Sequence, residues 1–454
     1  MSASLKDTPS LAAVILAAGK GTRMKSGLHK VLHPIGGLPM LDHLFLSLDE
    51  LNVEHSVLIV GAQKEQLAAY EQRADLVVQS PQLGTGHAVQ QAQPVLGDFE
   101  GVALILYGDV PLIRPDTLLS LVKALEERGK DCAMAVLGFK AKDPAHYGRL
   151  IVDDDVLLTI REWKDATSSE RAVDLCNSGI MAVRAPLLFD LLADVDNDNA
   201  AQEYYLTDIV AVADRKGFKA VYDIAPEDEV AGVNSRLDLS ALEKQYQDRK
   251  RQAAMEAGVT LIDPQSVTFS FDTDLGNDVL VEPNVVFGPN VQVASNVVIR
   301  AFSHLEGCRI ETGASVGPFA RIRPGAHIGP DAKIGNFVEI KNSELGQGAK
   351  VSHLTYLGDA VVGADANIGA GTISCNYDGF FKYKTEIGAG AFIGSNSALV
   401  APVKIADGAI IGAGSVITSD VAEGDLAVGR GKQKTIKGWA KAFRERMQAK
   451  KKGQ

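Results

Sequence analysis

The sequence predicts an α/β domain with a mostly parallel sheet, joined by a long helix to a parallel β-helix. Apolar runs alternate with helical patterns over the first half, which is typical of a parallel sheet covered by helices on both faces. A charged, helix-forming stretch follows near the middle of the chain. In the last third, aliphatic residues recur every six positions, a period that fits neither a helix nor an alternating strand.

The α/β domain is predicted element by element. In chain order the elements are strand 13–17, helix 40–51, strand 56–60, helix 64–73, and strands 75–78, 102–107 and 132–137. Ligands of such sheets bind beyond the carboxyl ends of the strands. Three polar or glycine-rich segments fall there, so we expect the site among 19–23, 79–86 and 108–111.

The linker is the stretch from Asn234 to Gly258, which is charged and contains no Gly or Pro before its last residue. It is predicted to be one exposed helix. The domains are therefore expected at 1–233 and 259–454, with the linker helix at 234–258. The tail from Lys432 holds nine Lys and Arg residues against one Glu. We expect a solvated, partly disordered end, with binding to a membrane surface or a partner as the alternative.

The period of six predicts a parallel β-helix, in which each hexad is one flat face and three faces close a triangular coil. The aliphatic positions are Val279, Val285, Val291 and Val297, then Ile310, Val316, Ile322, Ile328, Ile334 and Ile340, and later Ile387, Ile393, Leu399, Ile405, Ile411 and Ile417. Gly, Asn and Asp between them suit the corners. The register breaks between Ile368 and Ile387, so the segment 375–382 is expected to leave the coil as a loop.

Composition excludes several functional classes. The formal charge of −11 argues against a general nucleic-acid binder, and no apolar run reaches the roughly 18 residues of a membrane span. The four cysteines show no CxxC spacing, so they are expected to be reduced thiols and not a disulfide framework or zinc site: Cys132, Cys176, Cys308 and Cys375. These features predict a cytoplasmic protein without an integral membrane segment.

A phosphate site is indicated at the first strand's end. Glycines let the backbone approach a phosphate chain, and Arg23 and Lys30 supply positive charge. A plain strand-to-helix turn is the alternative, and the spacing is not that of a Walker A loop. Asp109 ends another apolar strand and suits Mg²⁺, which takes one or two protein oxygens plus phosphates. Its alternative is a helix cap before Pro111.

Together with Tyr147-Gly148-Arg149, Asn177-Ser178-Gly179 and Gly232-Val233-Asn234, these segments resemble the sugar nucleotidyltransferase family. Over about residues 13–430 the chain is more closely similar to the bacterial bifunctional enzymes that make UDP-N-acetylglucosamine. The resemblance implies that Mg²⁺ is held by Asp109 and Asn234. It implies UDP-N-acetylglucosamine-binding residues at Leu16, Ala17, Ala18, Gly19, Lys30, Gln79, Gln82, Gly84, Thr85, Tyr107, Gly108, Asp109, Gly148, Glu162, Asn177 and Asn234.

The implied reaction is attack of a sugar 1-phosphate oxygen on the α-phosphorus of UTP, in line with the leaving pyrophosphate. Positioning and charge neutralisation by Mg²⁺, Arg23 and Lys30 would do most of the catalysis. The sequence departs from the family at one position. The family usually has proline before this lysine, whereas here the residue is His29. The stiffness of the loop that carries Lys30 is therefore an open question.

A second site is indicated by residues that a coil does not need, namely Arg323, Lys341, His353, Tyr356, Asn376, Tyr377 and Lys382. Among them His353 is suited to act as a general base near neutral pH. The alternative for any one histidine is that it lies on the surface of a coil and has no catalytic role. The segments 353–359, 323–325, 336–341 and 376–379 match the acetyltransferase half of the same bifunctional enzymes, which is similar to the hexapeptide acyltransferases.

That second resemblance implies a left-handed β-helix that binds acetyl-CoA between neighbouring chains of a homotrimer. His353 would take a proton from the amine of glucosamine 1-phosphate. The sugar-phosphate residues would be Arg323, Lys341, Tyr356, Asn367 and Lys382. The acetyl-CoA residues would be Ala370, Asn376, Tyr377, Ser395, Ala413 and Arg430. An acyl-enzyme through Cys375 is the alternative, although nothing nearby marks an activated thiolate.

The sequence thus predicts a bifunctional enzyme that acetylates glucosamine 1-phosphate and then couples N-acetylglucosamine 1-phosphate to UTP. By resemblance, the product supplies cell-wall and lipopolysaccharide synthesis. One alternative is a single-function pyrophosphorylase whose β-helix regulates or oligomerises. Another is a scaffold that lost the chemistry, but such a chain would be expected to have lost Lys30 or Asp109.

Overall fold

The computed structural model describes residues 9–61, 63–144 and 146–452. The chain divides into two compact units between Lys250 and Arg251. Each unit has its own apolar core. Among the described residues, no helix combines the length and the apolar character that crossing a membrane requires.

The first unit is built on a nine-stranded sheet. The chain's first eleven strands are β1 Leu11–Ala17, β2 Pro34–Ile35, β3 Leu38–Pro39, β4 His55–Val60, β5 Asp75–Val78, β6 Val102–Tyr107, β7 Cys132–Lys140, β8 Arg149–Asp153, β9 Val156–Arg161, β10 Leu175–Arg184 and β11 Lys219–Ala225. Strands β2 and β3 pair only with each other, and the others follow the order β5-β4-β1-β6-β10-β7-β11-β9-β8. The strands β5, β4, β1 and β6 are parallel, while β10 runs antiparallel to β6 and β7.

The helices cover both faces of this sheet. They are α1 Met40–Glu50, α2 Thr85–Gln90, α3 Gln93–Leu96, α4 Pro115–Glu126, α5 Ser168–Arg171, α6 Ala185–Leu192 and α7 Ile209–Arg215, with 3₁₀ helices at Thr22–Met24, Lys30–Leu32, Lys64–Gln72, Leu206–Asp208 and Glu227–Glu229. Strand β1 is buried along its whole length, and its alternate residues enter two different apolar clusters. A strand that is buried on both sides must be apolar throughout, which explains its unbroken Leu/Ala/Val/Ile sequence.

The second unit is a parallel β-helix of three sheets. The first sheet contains Thr260–Leu261, Leu280–Val281, Val298–Ile299, Ser315–Val316, Lys333–Asn336, Lys350–His353, Asn367–Ile368, Phe392–Ile393, Ile410–Ile411 and Leu426–Ala427. The second contains Asp274–Leu275, Val291–Val293, Cys308–Ile310, Ala326–Ile328, Glu344–Leu345, Ala360–Val362, Thr385–Ile387 and Val403–Ile405. The third contains Val286–Phe287, His304–Leu305, Arg321–Ile322, Glu339–Lys341, Tyr356–Gly358, Ile373–Cys375, Ala398–Val400 and Val416–Ile417. A short 3₁₀ helix, Pro264–Ser266, lies near its start.

The aliphatic ladder forms the core of the β-helix, as predicted. Every residue of the series from Ile310 to Ile340 is buried in one cluster, and so is the series from Ile387 to Ile417. The predicted break in register is also confirmed, because the chain leaves the third sheet after Cys375 and rejoins the second at Thr385. Within the excursion, Tyr377 and Lys382 form an isolated antiparallel bridge.

Two predictions about helices need correction. The linker helix, α8, runs from Arg236 to Glu256 and is not simply exposed, because Leu242 and Arg251 are buried. Its first half supplies Leu242 to an apolar cluster of the first unit, and within the second unit Arg251 donates to the Val267 carbonyl at 2.9 Å. The tail is ordered as helix α9, Trp439–Lys452, where the prediction was a partly disordered end. Its residues are exposed, as expected for a basic segment.

Candidate functional sites

The first candidate site is a cavity of about 510 Å³ at the carboxyl ends of β1 and β6. The predicted residues that line it are Leu16, Ala17, Ala18, Gly19, Lys30, Gln79, Gln82, Gly84, Thr85, Tyr107 and Asp109. Residues that carried no predicted role also line it, namely Lys20, His29, Val31, Ala88 and Glu203. Three segments far apart in sequence therefore meet here, as the rule for parallel sheets predicts.

The glycine-rich turn packs directly against the lysine loop. Gly21 has a left-handed φ of 57°, and a Cβ there would lie 3.0 Å from the Lys30 Cβ. Arg23, by contrast, lies exposed on the 3₁₀ helix Thr22–Met24 and does not line the cavity. The structure thus places Lys30 in the lining of the cavity and Arg23 on the exposed surface outside it.

Lys30 is the centre of the polar contacts. Its Nζ forms an ion pair with Asp109 Oδ2 and donates to Asn234 Oδ1 at 3.3 Å. Both oxygens therefore face the same positive charge, although the residues come from three distant parts of the chain. The position of Asn234 is fixed from outside the cavity, since its N–H donates to Asp238 Oδ2 at 2.9 Å.

The donor set at this point fits a magnesium ion. Asp109 and Asn234 offer two oxygen ligands that converge on one cation, and Mg²⁺ prefers one or two protein oxygens with phosphates completing its shell. Over residues 9–61, 63–144 and 146–452, no cluster of three or more His, Cys, Asp or Glu side chains could hold a metal by itself. A metal at this site would therefore depend on substrate phosphates.

The loop after β5 is held by side-chain contacts to the backbone. Gln82 Nε2 donates to the Ala18 carbonyl, and Gln79 Nε2 donates to the Gly84 carbonyl at 2.9 Å. Gly84 has a φ of 116°, and a Cβ there would lie 2.5 Å from the Tyr204 carbonyl oxygen. Glycine is therefore required at this position by conformation and by space.

The predicted sugar residues lie together, outside the residues that line the cavity. A Cβ on Gly148 would lie 3.5 Å from both Asn177 Cβ and Glu162 Oε1, so these three residues are brought together. Glu162 accepts a hydrogen bond from Thr207 Oγ1 at 3.3 Å, and burial raises the pKa of its carboxyl group. Burial, followed by the charges of Glu162 and Asp109, also raises the pKa of Tyr107.

Sequence reasoning assigned no role to Arg149, although its motif was noticed. The Arg149 side chain is fully buried, lies 5.2 Å from the Trp163 ring centroid and donates to the Tyr147 and Pro144 carbonyls. It therefore fixes the loop that carries Gly148. The sequence shows this arginine at the end of the Tyr147-Gly148-Arg149 motif, but it does not show that the arginine is buried. The spacing of residues therefore could not reveal its role in fixing the loop.

The second candidate site lies on the middle coils of the β-helix. Asn336 and His353 are partners in register on neighbouring strands, and His353 Nδ1 contacts Asn336 Oδ1 at 2.6 Å. Because the contacting atom of Asn336 is a carbonyl oxygen, Nδ1 is the donor in this contact, and a neutral ring in this tautomer has its lone pair on Nε2. Asn336 is a residue that the sequence interpretation quoted without giving it a role.

Three cations, Arg323, Lys341 and Lys382, lie close enough to influence one another. Arg323 Nη1 forms an ion pair with Glu339 Oε1 at 2.7 Å, and Glu339 is the register partner of Tyr356. The contact with Lys382 and its charge, then burial, and then the charge of Arg323 lower the pKa of Lys341. Like charges held this close favour an anionic ligand.

The predicted acetyl-CoA residues are linked by fewer contacts. Asn376 Nδ2 donates to Asp359 Oδ2 at 2.5 Å, and Arg430 Nη1 donates to the Ala413 carbonyl. A Cβ on Gly358 would lie 2.3 Å from the Tyr356 hydroxyl, so glycine allows Tyr356 and Asn376 to approach. The Ala370 and Ser395 carbonyls accept from Asn396 and Gly414 on the next coil. Asn367 lies in the first sheet, and Tyr377 is exposed in the loop.

Comparison with known proteins agrees with this geometry. The model of the MobA-like NTP transferase domain matches residues 13–174, and that of the bacterial transferase hexapeptide (six repeats) matches 272–307, 307–342 and 384–419. The chain is 56% identical over 443 residues to the bifunctional protein GlmU of Sphingopyxis alaskensis, covering 97% of this chain and 98% of the relative. The GlmU proteins of Paramagnetospirillum magneticum and Zymomonas mobilis are 53% and 52% identical, with coverage of 97% and 96% of this chain and 98% of each relative.

The chain belongs to the GlmU family of bifunctional proteins. The family assignment confirms the predicted bifunctional enzyme, with a nucleotidyltransferase unit and a hexapeptide-type transferase unit. It also confirms the predicted fold class. The single-function and non-enzymatic alternatives are therefore not supported.

Proposed function

We propose that the first unit transfers UMP from UTP to N-acetylglucosamine 1-phosphate and releases pyrophosphate. The observation that carries this proposal is the convergence of Lys30, Asp109 and Asn234 at a cavity beside the glycine-rich turn. Phosphoryl transfer needs positioning and neutralisation of charge more than covalent help, and this cavity offers both.

In this proposal each part of the cavity has a distinct task. The backbone around Gly19 and the loop with Gln79 and Gln82 would hold the uridine and its phosphates. Lys30 would neutralise charge on the phosphates. Bound Mg²⁺ would supply further charge neutralisation at Asp109 and Asn234. Arg23 would act only if it turned inward from its exposed position.

The sugar would lie against Gly148, Glu162 and Asn177. The Glu162 carboxylate, when ionised, can accept a hydrogen bond from a sugar hydroxyl or from the amide of the N-acetyl group. A buried acceptor rejects a ligand that offers no donor, because the carboxylate would then stay unpaired. The clustering of these three side chains supports their assignment to sugar recognition.

We propose that the second unit acetylates glucosamine 1-phosphate with acetyl-CoA. The observation that carries this proposal is the His353–Asn336 contact, which leaves Nε2 as the acceptor nitrogen. An amine is mostly protonated at neutral pH, so Nε2 would take its proton as the nitrogen attacks the thioester carbonyl. The amine–carbonyl bond forms, the carbon–sulfur bond breaks, and the CoA thiolate takes up a proton as it leaves.

The cations Arg323, Lys341 and Lys382 would bind the sugar phosphate. Tyr356 and Asn367 would contact the sugar, and the six predicted acetyl-CoA residues would form the groove. An anion between Lys341 and Lys382 would relieve the repulsion that lowers the pKa of Lys341. This gain in electrostatic energy gives the site its preference for a phosphorylated sugar.

The proposed active form is a homotrimer in which neighbouring chains share the acetyl-CoA groove. An exposed row of apolar side chains at successive corners of the coils supports this proposal. Its members are Phe302 (53% exposed), Phe319 (45%), Phe337 (56%) and Leu354 (61%). We call these four residues the corner ladder. Its phenyl rings stack at centroid distances of 4.9 and 5.2 Å, and its last member is next to His353. An apolar stripe of this kind at the edge of a site is typical of a protein interface.

Two further assignments follow the same reasoning. We propose the cytoplasm as the compartment, because the four described cysteines are all free thiols. The proposed boundaries of the working domains are 1–233 and 259–454, with the helix region 234–258 between them. The observed division between Lys250 and Arg251 falls inside that helix.

One experiment tests both proposals. Purified protein is given glucosamine 1-phosphate, acetyl-CoA, UTP and Mg²⁺, and free thiol and pyrophosphate are followed separately. Thiol release should not require UTP, whereas pyrophosphate release should require either acetyl-CoA or added N-acetylglucosamine 1-phosphate. Pyrophosphate release from UTP and glucosamine 1-phosphate in the absence of acetyl-CoA would contradict the proposed order.

A further inference from the structure

The loop that carries Lys30 has an unusual residue at position 29. His29 directly precedes the 3₁₀ helix Lys30–Leu32 and has a φ of −57° and a ψ of 139°. That φ lies in the narrow range that a proline ring imposes, about −65°. The loop thus has the conformation that the family's usual proline would enforce, although histidine does not enforce it.

A single glutamine restrains this loop. The Gln66 Oε1 atom accepts a hydrogen bond from the His29 N–H at 2.8 Å, and its Nε2 donates to the Gly27 carbonyl at 2.9 Å. One side-chain amide therefore holds the backbone on both sides of Leu28. A proline at position 29 has no N–H, so it would lose the first of these contacts.

The glutamine is held by a well-packed element. It lies on the 3₁₀ helix Lys64–Gln72, whose Leu67 and Tyr70 are buried. The Tyr70 hydroxyl donates to Asp42 Oδ2 at 2.9 Å, which ties the helix to α1. Gln66 can therefore transfer the rigidity of this packing to the loop.

The His29 side chain itself offers no comparable restraint. Its ring is buried at the edge of the cavity, where the Ala17 backbone lies near it but, within the described part of the chain, neither ring nitrogen makes a hydrogen bond of normal geometry. The ring fills space, and the backbone N–H makes the directional contact. The His29 carbonyl accepts from the Leu32 N–H at 3.0 Å within the 3₁₀ turn, and the Gln66 amide is the side chain that holds the His29 N–H.

We propose that Gln66 is a positioning residue for uridylyl transfer: its amide fixes the Gly27–His29 loop and so places Lys30. In effect, two hydrogen bonds take over the restraint that a proline would give. The inference rests on the proposed function of the first unit, because it assigns Lys30 to phosphate binding. It predicts that Gln66 matters for this chain only as long as residue 29 is not proline.

The test is a double-mutant cycle. In the natural background, Gln66→Ala should lower kcat for pyrophosphate release about three- to tenfold, the range expected when one or two hydrogen bonds cease to position a group. KM for UTP should change less than about twofold. In a His29→Pro background, the same substitution should cost less than about twofold relative to His29→Pro alone, because the proline ring already fixes φ.

The controls separate positioning from general damage. Gln72→Ala changes another exposed glutamine on the same 3₁₀ helix and should leave both reactions unaltered. Thermal unfolding followed by circular dichroism reports whether the first unit is folded in every variant, and thiol release by the second unit normalises the amount of protein. If His29→Pro does not fold, Gln66→Met and Gln66→Glu serve instead. Methionine keeps the length without either hydrogen bond and should match alanine, whereas glutamate keeps an acceptor for the His29 N–H and should lose less.

Two results would overturn the proposal. One is an equal loss on Gln66→Ala in both backgrounds, and the other is no loss in the natural background. A natural protein without any pyrophosphate release would instead refute the proposed function of the first unit. The two failures are therefore distinguishable in the same set of measurements.

Discussion

The nucleotide cavity joins residues up to 204 positions apart in one chain, whereas the acetyl-transfer face repeats along neighbouring coils. In the first unit, Lys30 and Asp109 are only 14% and 16% exposed, so the surrounding chain already excludes most solvent. In the second, His353 and the corner ladder are exposed. A sheet with long loops can close around a ligand, but a straight prism offers only flat walls. We therefore expect the second site to need a neighbouring chain and the first site to be complete within one chain.

The largest expected effect would separate the two sites completely. Asp109→Ala should lower pyrophosphate release by more than about 10³-fold, because the phosphates would lose the metal's carboxylate anchor. Thiol release should persist, and EDTA should act in the same way, reversed by added Mg²⁺. Asp116→Ala, which changes an aspartate in the first turn of α4, is the control. Loss of both reactions in a folded Asp109→Ala protein would contradict independent sites.

The proposed general base of the second site, His353, gives the next effect. His353→Ala should lower acetyl transfer about 10²–10⁴-fold, the usual contribution of a general base. His353→Asn should be nearly as damaging, and the loss should shrink at higher pH as the substrate amine deprotonates unaided. Asn336→Ala should cost about tenfold, because the histidine ring loses the contact that sets its tautomer. Retention of more than about a third of the rate by His353→Ala at pH 7 would place the base elsewhere.

The need for a neighbouring chain can be tested on the corner ladder. Phe319→Glu should shift the sedimenting species from a trimer to a monomer of 48.2 kDa, because it places charge in an apolar interface. Acetyl transfer should fall more than about tenfold, while pyrophosphate release persists. Ile262→Glu is the control, since Ile262 is also exposed but lies near the start of the β-helix. A monomer with full acetyl transfer would refute the shared groove.

The smallest effect concerns pH. Lys341 has a lowered pKa, so its charge is lost at a lower pH than that of an ordinary lysine. KM for glucosamine 1-phosphate should therefore rise as pH increases through that pKa. Lys382→Met removes the largest cause of the shift and should move the rise to higher pH, despite weaker binding overall. A transition that stays in place in Lys382→Met would show that Lys341 does not govern it.

The fold was predictable because its signals are local and repeated. The period of six from Ile310 to Ile340 predicts the coils of the β-helix, and the unbroken apolar run of β1 predicts a buried strand. The contact residues Asn336 and Gln66 were not predicted as such. Each acts through a partner that spacing alone does not reveal: His353 on the next coil, and a loop 37 positions away. Polar contacts of this kind depend on tertiary distance, which periodicity does not encode.

The hydrogen bonds of the β-helix have a consequence for how this unit opens. They run from each coil to the next, for example from the Arg321 N–H to the Val338 carbonyl at 2.9 Å. Each coil is therefore stabilised by its two neighbours, as in other repeat proteins, and unfolding should proceed as fraying from the two ends. The proposed sugar-site residues of the coils, from Arg323 to Asn367, lie between the first strand at Thr260 and the last at Ala427, while Lys382 is on the loop that leaves the coil. Amide exchange should be slowest on these middle coils, so the proposed active site should occupy the part of the prism that opens last.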